Sequence, residues 1–337
     1  MDLDLSTAPH VERGVTVEQI MLNVVYALVP IVLFAVAKYG LSALTVVLTT
    51  TISCVLFEQM FWRLISKDKD EPSPVKDYSA TITGLLLGLT LPPGFPLWMA
   101  VVGSFVAMSA GKWAFGGLGS NPFNPALVGR IFLQATFPVS IATWNNAWAD
   151  GRFTSFLPTT LTAPFMKPVV VDAVTGATPL GMMKFENIFT DFMPLFLGST
   201  HSSIGEVSPL LLLACGVYLG VRKMLDWRIP TGILLSVFIM STIFYSYDSV
   251  RYPYPFFMLM SGGLMLGAIF MATDMVSSPL TPIGVWLYAI LIGVLIVIIR
   301  FWGGLPEGVQ YAIILGNAVF PLLDRVARTR VYGTKNV

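Results

Sequence analysis

Ile283-Gly284-Val285-Trp286-Leu287-Tyr288-Ala289-Ile290-Leu291-Ile292-Gly293-Val294-Leu295-Ile296-Val297-Ile298-Ile299 is a run of seventeen residues with no charge. Wound as an α-helix it covers about 25 Å, close to the hydrocarbon thickness of a bilayer. Its apolar side chains point to every side of the helix, which suits lipid better than one-sided packing on a soluble core. A strand of a membrane barrel would alternate apolar and polar residues, and this run does not. The predicted fold class is therefore an all-α polytopic membrane protein.

Similar stretches recur along the chain: Ile20–Ala37, Leu41–Ile65, Ser79–Leu91, Leu97–Phe115, Pro125–Phe137, Pro209–Val221, Ile229–Tyr245, Pro255–Ala272 and Val309–Leu323. Together they predict about ten transmembrane helices. The third, fifth and sixth are short for a full crossing, so tilt, polar extensions or a break at mid-membrane is expected there. Composition agrees, with 55% of residues hydrophobic and 12% charged, about half the charged share of a soluble domain. The net charge of +1 points to neither nucleic acid nor an acidic partner. Cys54 and Cys215 lie in separate apolar runs, as small buried hydrophobes do.

Lys and Arg placement predicts the orientation. One set of connections holds Arg63, Lys67, Lys69, Lys76, Lys112, Arg222, Lys223, Arg228, Arg325, Arg328, Arg330 and Lys335; the other short connections hold only Lys38, Arg251 and Arg300. Both termini are then expected in the cytoplasm, and the long connection Pro138 to Ser208 outside. The segment Met1 to Glu18 lacks the basic start of a cleavable signal peptide. The expected organisation is a cytoplasmic segment 1–19, a five-helix membrane half 20–137, an external loop 138–208, a second five-helix half 209–323 and a cytoplasmic tail 324–337. Trp144 and Trp148, early in the loop, suit an interfacial aromatic belt or packing within the loop. Phe115-Gly116-Gly117-Leu118 and Trp302-Gly303-Gly304-Leu305 form a gapped internal match, one on each side of the membrane. Two inverted five-helix repeats would give that arrangement.

The loop carries Asp172-Ala173-Val174-Thr175-Gly176-Ala177-Thr178-Pro179. A hydroxyl destined for a phosphoester is expected to be exposed. Gly176 and Ala177 leave its approach open, Pro179 stiffens the turn, and Asp172 is of a type that ties a turn through backbone amides. Elsewhere, Asn121-Pro122-Phe123-Asn124-Pro125 frees backbone groups by placing two prolines at a helix start. Asn121, Asn124 and Arg130 suit a polar part of a second ligand or an ion, and Asn121 or Asn124 equally suits a helix N-cap. Asp274, with Ser277, Ser278 and Pro279 behind it, suits an ion or proton path or a cap of the next helix. Glu58 and Lys112 are expected to pair with another helix or a neighbouring chain. His201 has no companion Cys or His, so no metal site is expected, and no catalytic triad, P-loop or iron–sulfur cysteine set appears.

The pattern Asp-x-x-Ser/Thr-Gly-Ala-Thr resembles the recognition sequence of the bacterial flavin transferase, which links FMN through its phosphate to the last threonine. Ser120 through Arg130, Gly205-Glu206-Val207-Ser208 and Thr273 through Pro279 look like RnfD, the D subunit of the Rnf ion-translocating electron-transport complex. The related NqrB, of the sodium-translocating NADH:quinone reductase, shares much of this but normally carries a longer N-terminal region. The resemblance implies a membrane electron-transfer subunit of an ion-translocating ferredoxin:NAD⁺ oxidoreductase in the bacterial inner membrane, not catalytic alone. Thr178 would carry covalent FMN, with Asp172, Thr175, Gly176 and Ala177 forming its recognition turn in the periplasm. A second, non-covalent flavin, riboflavin or FMN, is implied in the membrane part. Implied partners are the other membrane and peripheral Rnf subunits, among them a second covalent flavoprotein, and the flavin transferase. The alternatives are an NqrB-like protein of a quinone reductase, or a solute channel or transporter whose loop motif is incidental.

Overall fold

The computed structural model describes residues 16–65, 73–166 and 177–326. Helix α1 (Val17–Tyr39) starts from a capping box: the Thr16 hydroxyl accepts from Gln19 N, and the Gln19 side chain accepts from Thr16 N. That pairing satisfies two of the amides a helix start leaves open. α1 ends at Gly40, whose φ of +76° suits a residue without Cβ. A Cβ there would also run into the Arg152 carbonyl, which accepts from Leu41 N at 2.9 Å. The long loop therefore grips the corner between α1 and α2 (Leu41–Ile65). Trp148 belongs to the same grip, edge-on to Phe34 at 6.0 Å, so it packs on α1.

The first half continues with α3 (Ser79–Thr90), α4 (Leu97–Ser109) and α5 (Pro125–Thr136). The loop adds short helices α6 (Pro138–Ile141), α7 (Pro179–Glu186) and α8 (Phe192–Leu197). The second half holds α9 (Pro209–Val221), α10 (Arg228–Tyr247), α11 (Pro255–Met260), α12 (Leu264–Leu266), α13 (Pro282–Trp302) and α14 (Val309–Val326). Among the described residues, five helical stretches are long and apolar enough to cross a bilayer: Val17–Tyr39, Leu41–Ile65, Leu97–Phe115, Arg228–Tyr247 and Pro282–Trp302. Ser79–Thr90 and Pro209–Val221 are apolar but short, as the sequence predicts. Cys54 and Cys215 are free and buried.

The two halves pack in the same order. α2 lies against α3 and α4, and α4 against α5; α10 lies against α11 and α13, and α13 against α14. α1 meets α9, and α5 meets α14. Close approach depends on small residues, as it must where lipid supplies no hydrophobic drive. Gly84 of α3 sits on the backbone of Thr50 and Thr51, and Gly232 of α10 sits on Ala289 of α13. Each Gly-Gly-Leu follows the fourth predicted span of its half, Leu97–Phe115 in the first and Ile283–Ile299 in the second. Matching packing with five segments per half is what an internal duplication would leave.

The eighth predicted span, Pro255–Ala272, is not one continuous helix. It breaks at Ser261-Gly262-Gly263, with Gly262 at φ +67°, and resumes through α12 into a π-helical turn at Gly267–Met271. The freed carbonyls of a broken helix are costly in a membrane unless the protein answers them. Arg300, fully buried, answers them by donating to Met258 O and Ser261 O.

Candidate functional site

Thr178 is the N-cap of α7, its hydroxyl accepting from Gly181 N at 3.1 Å. Proline at the next position loses nothing, because a first-turn amide has no helical partner. The expectation of an exposed hydroxyl is not met: Thr178 is 5% exposed, because capping α7 turns its oxygen inward. Ala177 beside it is exposed. Asp172, Thr175 and Gly176 lie outside the described residues. A Cβ at position 181 would stand 3.3 Å from Thr178 Oγ1, so glycine there keeps the flank of that oxygen open. A phosphate on this atom would face the start of an eight-residue helix, where amides and the helix dipole favour anions. The residues present therefore fit a phosphoester.

α7 is held firmly at its other end. Lys184 Nζ donates to Arg300 O at 3.2 Å, Leu305 O at 3.0 Å and Gly303 O. Its ammonium thereby caps the C-terminal carbonyls of α13, the end of a helix that favours a cation. Leu180 packs beside Gly262, at the break between α11 and α12.

The second group of predicted residues meets in a different place. Asn121, Asn124 and Asp274 line a cleft of about 760 Å³, mouth included, within the range of small-molecule sites. Ser79, Thr83 and Lys112 add polar atoms, and Ile20, Met21, Leu86 and Phe270 add apolar wall. Asn124 caps α5 by accepting from Ala126 N at 3.0 Å, and donates to Met271 O at 3.1 Å. Asn121 Nδ2 donates to Phe123 O at 3.1 Å, while its Oδ1, buried, accepts nothing from the described residues. Asp274 accepts from Ser277 Oγ at 2.9 Å and ties the turn after the π-helical segment. Asn124 is thus both helix cap and cleft wall, whereas the helix after Asp274, α13, is capped by Thr281 and not by Asp274. The cleft fits a flat heteroaromatic with polar edges, and Asn121 Oδ1 is an acceptor suited to a ring N–H.

Glu58 and Lys112 pair with each other at 2.8 Å, both nearly inaccessible. Lys112 also donates to Ser79 Oγ at 2.7 Å, and Trp113 Nε1 donates to the second Glu58 oxygen at 3.3 Å. This buried network forms one wall of the cleft.

Arg130 is not in the cleft. It is about one and a half helical turns beyond Asn124 on α5 and reaches the opposite way, to 3.8 Å from Glu307. With Glu206 it lines a cavity of about 30 Å³ that also touches Ser203, Gly263 and Gln310. Arg130 Nη1 and Glu307 Oε1 are buried without a partner among the described residues. Burial, and then the neighbouring Glu307, hold the Glu206 carboxyl above its usual range. Sequence reasoning missed this cluster; its trace is that Glu206 and Glu307 are isolated acids in otherwise apolar connections.

The cleft and Thr178 lie at opposite ends of the molecule. Ile20 and Met21 at the start of α1 line the cleft, and Tyr39 at its end donates to Ser202 O at 3.0 Å. Ser202 shares a small cavity with Pro179. From Ile20 to Tyr39 an α-helix rises about 29 Å.

Residues 4–333 match the model of a family described as NQR2, RnfD, RnfE. The chain is 38% identical to the D subunit of the proton-translocating ferredoxin:NAD(+) oxidoreductase complex of Clostridium ljungdahlii, over 98% of this chain and 96% of that protein. It is 39% identical to the D subunit of the Na(+)-translocating ferredoxin:NAD(+) oxidoreductase complex of Acetobacterium woodii, over 100% and 97% respectively. The D subunit of the ion-translocating oxidoreductase complex of Stutzerimonas stutzeri is 36% identical, over 94% and 92%.

Proposed function

The chain belongs to the NQR2, RnfD, RnfE family, and from that premise we propose that it is the D subunit of an ion-translocating ferredoxin:NAD⁺ oxidoreductase, carrying FMN on Thr178. The observation that carries this reading is Thr178 itself. The last threonine of the flavin-transferase pattern caps a helix whose first amides suit a phosphate, and a glycine next to it leaves room for one. Bound flavin would supply transfer of one or two electrons. The chain's own part is to hold it: Thr178 by the ester bond, α7 by its dipole, and Lys184 by tying α7 to the end of α13.

The cleft at the other end is the place for a second, non-covalent flavin. Asn121 Oδ1 would accept from a ring N–H, Asn124 and Asp274 would supply polar atoms at its edge, and Phe270 and Leu86 would supply apolar wall. Arg130 takes no part in it. The protein sits in the bacterial inner membrane with its termini in the cytoplasm and the Thr178 loop in the periplasm. There it passes electrons between a neighbouring covalent flavoprotein and centres within the membrane, coupled to movement of Na⁺ or H⁺. Maturation requires the flavin transferase.

The test is fluorescence of the denatured chain after co-expression with the transferase, together with the mass of the peptide spanning Asp172 to Thr178. An added FMN moiety on that peptide, absent from Thr178→Val, is the expected result. A colourless wild-type chain with an unmodified peptide would leave the transporter reading standing instead.

A further inference from the structure

The cluster around Arg130 is not used by either flavin position. Charged and titratable groups reach it from several elements, while α3 and α12 contribute only Thr90, Gly263 and Leu266 to its lining. Lys38 comes from the end of α1, Arg130 from α5 and Glu206 from the segment before α9. Arg300 comes from the end of α13, Glu307 from the connection to α14 and Tyr311 from α14. Two of these groups already have structural work: Lys38 donates to Ser202 Oγ at 3.0 Å, and Arg300 closes the end of α11. Tyr311 faces Arg130 but does not line the void, which leaves a pair of carboxyl groups and one guanidinium around it. Ser203 Oγ donates to one Glu206 oxygen at 2.9 Å. Among the described residues, Arg130 Nη1, on a residue 2% exposed, has no acceptor, and Glu307 Oε1 has no donor.

A void of about 30 Å³ exceeds the roughly 10–15 Å³ that one water needs, and it offers the two to four polar partners that hold a water in place. A water placed here would accept from Arg130 Nη1 and donate to Glu307 Oε1 and to Glu206. We propose that Glu206, Glu307 and this Arg130-held water form a proton-binding site, in which the two carboxyl groups share one exchangeable proton. Two carboxylates facing one desolvated void favour such sharing, since both cannot easily be ionised together. A void of about 30 Å³ has no space for a metal cation with its shell of about six oxygen ligands, whereas a proton requires no such shell. The proton is taken from solvent and returned to it, with no bond to carbon made or broken. Glu307, its side chain 18% exposed, is the group through which it enters and leaves. The site stands apart from the flavin reading in that neither Thr178 nor any cleft-lining residue lines its void, although Glu206 also lines the small cavity beside Pro179.

The experiment is infrared difference spectroscopy of the intact membrane complex between alkaline and mildly acidic pH, with no redox change. A protonated-carboxyl C=O band is expected to grow as pH falls and to shift down in D₂O. It should be lost from both Glu206→Gln and Glu307→Gln, and be unmoved by Na⁺ at fixed ionic strength. Glu206→Asp, which keeps a carboxyl, should retain the band with a displaced midpoint, and it decides the matter if a Gln variant does not assemble. A band that survives in both Gln variants, one unchanged by Glu206→Asp, or one suppressed by Na⁺ would overturn the proposal, the last in favour of a metal-cation site.

Discussion

The Thr178 end and the Asn121–Asp274 cleft suit the same kind of ligand by opposite means. At Thr178 a single oxygen on the cap of α7 offers one bond, and the cavity shared by Pro179 and Ser202 is about 350 Å³, mouth included, less than half that of the cleft. In the cleft there is no attachment point but about 760 Å³ of shaped space, with side chains already fixed by their own hydrogen bonds. A covalent bond removes the need for a preformed pocket, because it keeps the ligand close whatever the affinity. A non-covalent site has to be pre-organised, and pre-organisation is what the cap at Asn124 and the turn tied by Asp274 provide.

Substitutions separate the two ends sharply. The largest effect is expected from Thr178→Val, with complete loss of fluorescence from the denatured chain and no change in flavin released on denaturation. If both pools vanish together, the two ends are not independent. Next comes Glu58→Gln, which leaves Lys112 buried without its carboxylate. Breaking such a pair costs about 3–5 kcal/mol, so a lower melting temperature in detergent and loss of the releasable flavin should accompany intact covalent labelling. Asn124→Ala removes the α5 cap, worth about 1 kcal/mol, and its bond to Met271 O. Equilibrium dialysis should then show weaker retention of the non-covalent flavin, by roughly tenfold for about 1.4 kcal/mol. Smallest is Gly181→Ala, whose new Cβ crowds Thr178 Oγ1. A time course of flavinylation should be slower but reach completion, while the cleft is unaffected.

The membrane fold was legible because lipid demands long uncharged runs, and every predicted stretch corresponds to helix in the structure. The break in the eighth stretch was not, since Ser261-Gly262-Gly263 reads as ordinary small residues in an apolar run. What makes it tolerable is Arg300, almost forty residues away in sequence. The covalent site was legible as a contiguous motif, although not the inward turn of its hydroxyl, which follows from the helix that begins at Pro179. Of the second group, Asn121, Asn124 and Asp274 do come together, whereas Arg130 was assigned by sequence proximity to Asn124 and faces away. Spacing on a short helix says which residues are near, not which side they serve. Glu206 precedes α9 and Glu307 joins α13 to α14, about a hundred residues apart, and only tertiary packing gives them a common cavity.

The Glu58–Lys112 pair has a consequence for biogenesis. The carboxylate lies in α2, and its ammonium partner arrives 54 residues later in the chain, after α3 and α4 have been made. An acidic side chain deep in a helix costs about 2.5–3.5 kcal/mol to release alone into the bilayer. α2 is therefore better retained beside the translocon until Lys112 follows. The first four helices leave the insertion machinery as a group, and the order of synthesis becomes part of how this membrane half is assembled.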